Sequence, residues 1–152
     1  MEVQQDFKEL FELFNTHDVE YLIVGGYALA FHGAPRYTGD IDIFIKPDIE
    51  NARKIIKVLD IFGFGTAGLT TNDFTTKDQV VQLGAPPVRV DILTSISGVT
   101  WNEAKADRIV GKYGDTKVWY IGREHFIQNK RATGRMKDYA DIEALGGEIP
   151  FH

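Results

Sequence analysis

The sequence predicts an α+β fold, a two-layer arrangement in which helices flank a mixed β-sheet, and three observations predict it. Residues 21–45 read as strand, glycine turn, short helix and second strand. Two further apolar runs, 79–84 and 88–93, have strand length and bracket Ala85-Pro86-Pro87. Helical spacing governs the two ends of the chain.

Phe7, Leu10, Phe11 and Phe14 recur at helical intervals, so a first helix with an aromatic face is expected to stop between Asn15 and Asp18. EYLIV, residues 20–24, is a buried-strand run ended by Gly25-Gly26, and YALAFHG makes a short helix closed by Gly33. Pro35 forces an extended path into GDIDIFI, residues 39–45. There Asp40, Asp42 and Phe44 share one face, and Ile41, Ile43 and Ile45 the other. Asp48 is the expected N-cap of a helix whose buried stripe is Ile49, Ala52, Ile56 and Leu59, closed by Gly63 and Gly65. Thr66 to Asp78 reads as a polar loop. In the strand 88–93, Val88, Val90 and Ile92 face one way, while Arg89, Asp91 and Leu93 face the other. Residues 101–108 read as a short helix, and KYGDTKVWYIG as a turn followed by an edge strand. The C-terminal region reads as two helices broken at Thr133-Gly134, the second capped by Gly146-Gly147.

At 152 residues the chain fits one domain that buries its own core. It has no cysteine, which excludes disulfide frameworks, zinc ribbons and thiol nucleophiles. The N-terminus lacks the charge and apolar pattern of a signal peptide, and no apolar run reaches bilayer length, so a cytoplasmic protein without membrane contact is the expectation. A net charge of −5 argues against broad attraction to nucleic acid and restricts any such contact to a local patch.

Residues i and i+2 of a strand lie about 6.6 Å apart, so the paired anions Asp40 and Asp42 repel by roughly 2–3 kcal/mol at an effective dielectric near 20. Asp91 adds a third carboxylate. Such a set either takes up protons or holds a hard cation, and oxygen-only ligands suit magnesium or manganese. Two such ions would serve an attacking hydroxyl and a departing pyrophosphate. Gly25 and Gly26 suit the complementary task, since a turn without side chains lets phosphate oxygens approach backbone amides. Arg36 and Thr38, just before the acidic strand, are candidates for phosphate or base contacts. His32 could assist there, or simply close its helix. Lys130, Arg131, Arg135 and Lys137 could meet a triphosphate or an acceptor. Each feature also has a plainer reading. Asp-x-Asp can be a solvated strand face, and Asp91 an ion-pair partner of Arg89 two residues back. The basic set can be a solvated helical face with a Lys137–Asp141 pair.

The run of apolar residues, Gly25-Gly26, then Asp40-Ile41-Asp42-Ile43, with Asp91 in a later strand, resembles the signature of the DNA polymerase beta-like nucleotidyltransferase superfamily. More narrowly, HGAPRYTGDIDIFI together with NKRATGRMKDYADIEAL is similar to small prokaryotic nucleotidyltransferases that include the AbiEii-type toxins and minimal nucleotidyltransferases. The resemblance covers nearly the whole chain. It implies that Asp40 and Asp42 bind the metals, that Asp91 completes a catalytic triad and that Gly25-Gly26 hold the triphosphate. Lys130 and Lys137 match the family pattern. The implied activity moves a nucleoside monophosphate from an NTP such as ATP to an acceptor hydroxyl on protein or RNA, with magnesium as cofactor. A cognate partner protein, as in a toxin–antitoxin pair, is implied by the resemblance alone. Two other readings stay open: a nucleotide- or partner-binding module with the same pocket and no transfer, and an interaction protein that uses its aromatic first helix. The enzymatic reading fails if Asp91 lies far from the pair, or if any of the three is buried against a permanent basic neighbour.

Overall fold

The computed structural model describes residues 3–34, 38–63, 68–85 and 88–147. Helix α1 (Gln5–Thr16) buries Phe7, Leu10, Phe11 and Phe14, as its spacing predicts. The chain continues through β1 (Tyr21–Val24), α2 (Gly25–Phe31), β2 (Asp40–Ile45), α3 (Ile49–Phe62), β3 (Val80–Leu83) and β4 (Arg89–Leu93). It ends with α4 (Trp101–Ala106), β5 (Ile109–Tyr113), β6 (Thr116–Tyr120), α5 (Arg123–Thr133) and α6 (Met136–Ala144). The strands form one mixed sheet in the order β3-β4-β2-β1-β6-β5. The inner pairs β2–β4 and β1–β6 are parallel, whereas β1–β2 and the outer pairs β3–β4 and β5–β6 are antiparallel. This is the expected α+β fold with a mixed sheet flanked by helices.

A continuous apolar core joins the helices to the sheet. On one face Phe11 stacks on Tyr21 with ring centroids 5.6 Å apart. On the other, Trp101 at the start of α4 meets Phe44 edge-on at 5.3 Å. Phe44 and the isoleucines of β2 are therefore all buried, and only Asp40 and Asp42 keep partial exposure on that strand. Among the described residues, no helix is long and apolar enough to cross a membrane.

Two sequence expectations are corrected. In α3 the buried residues are Asn51, Ala52, Ile55, Val58 and Leu59, and Ile49 is exposed. Asp48 caps the helix as expected, accepting from the Asn51 amide at 2.8 Å. The stripe centres on Ile55, and Ile49 lies about 120° around the helix from it. The second correction concerns 109–120, which form a hairpin rather than a turn and an edge strand. The unexpected strand β5 is the edge, and β6 is internal because it pairs with β1, the Ile121 amide donating to the Ile23 carbonyl at 3.1 Å. Gly111 lets β5 pass close to the Phe31 and Tyr120 rings, which stack at 4.0 Å where a side chain at 111 would otherwise sit. The polar loop after α3 also contains a single 3-10 turn, Thr71–Phe74, that inserts Phe74 into the core. Gly65, Thr66, Pro86 and Pro87, named above, lie outside the described residues.

Asn51 deserves its burial because it ties α3 to the ends of two strands. Its Oδ1 accepts from the Glu20 amide at 2.8 Å, and its Nδ2 donates to the Glu20 and Lys46 carbonyls at 3.0 and 2.9 Å. Alanine would take these partners from the Glu20 amide and the Lys46 carbonyl, while the Glu20 carbonyl keeps the Lys46 amide at 3.3 Å, at a cost of about 1–3 kcal/mol for each group that stays dry and unpaired. Asn51→Ala is therefore expected to lower the unfolding free energy by roughly 2–4 kcal/mol in a urea titration. A loss under about 0.5 kcal/mol would show that the clamp is dispensable.

Candidate active site

The parallel register of β2 and β4 sets Asp42 opposite Asp91 and Asp40 opposite Arg89. Strand alternation then turns Asp40, Asp42 and Asp91 to one face. Ligand oxygens from all three lie within 4.8 Å of one another. Oxygen donors at this spacing fit a hard divalent cation that keeps open positions for further oxygens.

Arg89 stands at the rim of this cluster. Its Nε and Nη2 donate to the two oxygens of Asp91 at 3.1 and 2.9 Å, and Nη2 also reaches Asp40 at 3.2 Å. The plainer reading of Asp91 is thus realised, and Asp91 is 6% exposed. Arg89 itself keeps a third of its side chain in solvent, so it can withdraw outward without crossing the core.

The three carboxyls are not equivalent. Burial pushes Asp42 up to about 7, helped by the charges of Asp40 and Asp91 and opposed by Lys130. Burial also raises Asp91, against the hydrogen bonds from Arg89. Asp40 is also opposed by burial, but its hydrogen bonds with Asp91, Asp42 and Thr38 and the charge of Arg89 hold it below the usual range.

Gly25 has φ +65, and a Cβ there would overlap the Asp42 carboxylate. Its backbone conformation and its closeness to Asp42 both require glycine. A Cβ on Gly26 would press on Thr38 at 3.2 Å. Thr38 Oγ1 in turn donates to Asp40, at 3.1 Å from both its carbonyl and its Oδ1. Gly25 therefore lies against Asp42, and Gly26 lies against Thr38, which bonds Asp40. Arg36 lies outside the described residues.

Lys130, on α5, is 8% exposed and lies within electrostatic reach of Asp42. Its ammonium pairs with Asp138 at 3.4 Å and Asp141 at 3.6 Å, both on α6. Asp138 is fully buried and accepts from Thr133 Oγ1 at 2.7 Å and from Arg135 Nε at 2.8 Å. Against the effect of burial, these bonds hold its carboxyl well below the usual range. Lys137 is exposed on α6, and among the described residues it enters none of these ion pairs; the i,i+4 pair with Asp141 gives way to Lys130. His32 places Nε2 2.7 Å from the Ile121 carbonyl, a structural bond. The sequence reading missed two features: Arg89 reaching across to Asp40, and Asp138 with Asp141 as the buried partners of Lys130. The Lys130, Asp138, Asp141 spacing was the available signal for the latter.

No protein-family model matches the sequence, and no curated protein matches it. Solved structures do. TM1012 of Thermotoga maritima, which carries a provisional nucleotidyltransferase assignment, superposes with a TM-score of 0.61 at 15% identity, over 90% of this chain and 88% of that one. The lincosamide antibiotic adenylyltransferase LnuA, with lincomycin bound, gives 0.58 at 18% identity, over 96% and 98%. An antigenic nucleotidyltransferase-like protein from Paracoccidioides brasiliensis gives 0.54 at 19%, over 94% and 75%. The fold is nucleotidyltransferase-like.

Asp42 keeps its proton to a higher pH in the folded chain than in the unfolded one, where a carboxyl titrates near 3.9. Its stabilising contribution is full below that value and is lost as pH rises toward 7. The acids held low, Asp40, Asp138, Glu20, Asp48, Glu103 and Asp115, act in the opposite direction but have finished titrating by about pH 5. In chelator, Asp42→Asn is expected to flatten the decline of melting temperature between pH 5 and 7 relative to the unsubstituted protein. Identical slopes would contradict a proton held at Asp42.

Proposed function

We propose that this chain is a magnesium-dependent nucleotidyltransferase that moves a nucleoside monophosphate from an NTP to an acceptor hydroxyl and releases pyrophosphate. The observation that carries this reading is the convergence of Asp40, Asp42 and Asp91 within 4.8 Å, on a fold shared with nucleotidyltransferases. Asp40 and Asp42 would hold the metal ions, with Asp91 as the third ligand, and manganese would fit the same oxygens. When bound, two such ions lower the pKa of an attacking hydroxyl and offset the charge on a departing pyrophosphate.

The chain's own groups supply the rest. Asp91 orients the acceptor hydroxyl and takes its proton as the new O–P bond forms at the α-phosphorus and the bond to the bridging oxygen of pyrophosphate breaks. Gly25 and Gly26 let triphosphate oxygens come close to the backbone beside Asp42. Thr38 fixes the Asp40 carboxylate, and Lys130 offsets negative charge next to Asp42. Arg36 and Lys137 remain proposed phosphate contacts. Protein and RNA hydroxyls are the proposed acceptors, with a cognate partner protein as a further proposal from the toxin resemblance. LnuA adds small hydroxyl compounds to the acceptors worth testing.

A second reading, a nucleotide-binding module without transfer, is favoured by one observation: Arg89 already holds both oxygens of Asp91. Manganese binding followed by electron paramagnetic resonance separates the two. The transferase reading expects the unsubstituted protein to bind manganese and Asp42→Asn to lose it; binding seen only in Arg89→Gln would favour the second.

Incubation with magnesium and α-labelled NTPs against protein, RNA and small hydroxyl acceptors is expected to give labelled product. Asp42→Asn and Asp91→Asn are each expected to lower the yield by about 100-fold or more while leaving circular dichroism unchanged. Full activity in either variant would remove that residue from the mechanism, and no label with any nucleotide would overturn the transferase reading.

A further inference from the structure

The end of the sheet opposite the aspartates carries a second site of different chemistry. Val24 pairs with Asp42 at one end of β1, whereas Tyr21 pairs with Ile45 at the other, about 10 Å away along the strand. A cavity of about 410 Å³ opens beside Tyr21, and both tryptophans of the chain, Trp101 and Trp119, line it. A neighbouring recess of about 470 Å³ shares Lys105, Arg108 and Trp119, so Trp119 borders both spaces.

Charge at this place runs against the character of the chain, whose net charge is −5. Lys105, Arg108 and Lys117 line the cavity with the carboxylates Asp18 and Glu20. Glu20 is already taken by Lys105 and by Lys46. Arg108 and Lys117 have no carboxylate within ion-pair distance among the described residues. Instead the Arg108 guanidinium lies 4.3 Å from the centre of the Trp119 ring, and the Lys117 ammonium lies 4.8 Å from it. A cation over an exposed aromatic face gains little. A phosphate offers each a stronger, charge-assisted hydrogen bond, and arginine can make it bidentate. Moving the cations onto a phosphate uncovers the indole face, which then accepts a stacked base.

We propose that this cavity is a nucleotide-recognition site separate from the acidic cluster, in which Arg108 and Lys117 take a phosphate and Trp119 stacks its base. The nucleotide unit comes either from a free mononucleotide or from single-stranded RNA; the adjoining recess gives room for a second unit of a strand.

Because both tryptophans line the cavity, their emission reports on it directly. With the full chain in chelator, titration with adenosine monophosphate and with a ten-residue oligoadenylate is expected to give a saturable change in emission. Adenosine and inorganic phosphate, each lacking half of the recognised group, are expected to bind at least about tenfold more weakly. The double variant Arg108→Gln/Lys117→Gln is expected to weaken binding at least about tenfold, with circular dichroism and melting temperature checking its fold; Lys117→Gln alone, at an exposed position, serves if the pair does not fold. Equal affinity for monophosphate and oligomer identifies the free nucleotide as ligand, and tighter binding of the oligomer identifies the strand. Asp42→Asn is expected to bind as the unsubstituted protein does, which keeps this result independent of the transferase reading. No saturable change with either ligand, unchanged binding by the charge variants, or loss of binding in Asp42→Asn would each overturn the proposal.

Discussion

Three carboxylates facing one another across β2 and β4 are the constraint around which the surrounding structure is arranged, because their proximity is set by backbone pairing and cannot be relaxed by side-chain motion alone. The parallel register fixes Asp42 beside Asp91, and the two-residue repeat of a strand keeps Asp40 next to both. The repulsion that follows has two outlets: burial and the neighbouring charges raise the Asp42 carboxyl to about 7, and Arg89 places one positive charge between Asp40 and Asp91. Each is an incomplete answer to three negative charges. A divalent cation brings twice the charge of Arg89 to the same oxygens, and Arg89 is exposed enough to give way.

The C-terminal hairpin feeds into the same balance. A buried ammonium is costly unless paired, and Lys130 has its partners in Asp138 and Asp141 of the following helix. Asp138 is itself held by Thr133 and Arg135, at the break between the two helices. Gly134 makes that break with φ +67. The lysine within electrostatic reach of Asp42 is thus positioned by residues of α6 and of the α5–α6 turn, which couples that turn to the electrostatics of the cluster.

How much of this was legible in the sequence follows from how local each feature is. The Asp40–Asp42 pair and the glycine turn could be read directly, since strand alternation and a backbone needing glycine are properties of a few consecutive residues. Asp91 could be placed on a strand face, but its meeting with the pair depends on β2–β4 register, which only the assembled sheet fixes. Arg89 shows the same limit: its bond to Asp91 is an i,i+2 contact and was foreseen, whereas its reach to Asp40 follows from their being register partners. Strand β5 was missed because Ile109, Val110 and Lys112 are exposed and Gly111 interrupts the run, leaving little alternation to detect. The phase of α3 was misjudged because a stripe of isoleucines and leucines fits two overlapping faces, and the polar Asn51, which belongs to the buried one, was not counted.

The distribution of positive charge separates the two ends of the sheet. At the acidic end three cations are engaged with carboxylates: Arg89 with Asp40 and Asp91, Lys130 with Asp138 and Asp141, and Arg135 with Asp138. Those cations moderate a negative site, and a polyanion approaching it without accompanying metal meets net repulsion. At the other end Arg108 and Lys117 lean on an aromatic ring, with their hydrogen-bonding capacity unspent on any carboxylate of the described residues. In an acidic chain, long-range attraction for an anion is weak, so recognition there has to come from short-range contacts within the cavity. A planar group stacked on Trp119 supplies such a contact, and a phosphate on the two cations supplies the other; neither alone has the reach or the geometry to use both.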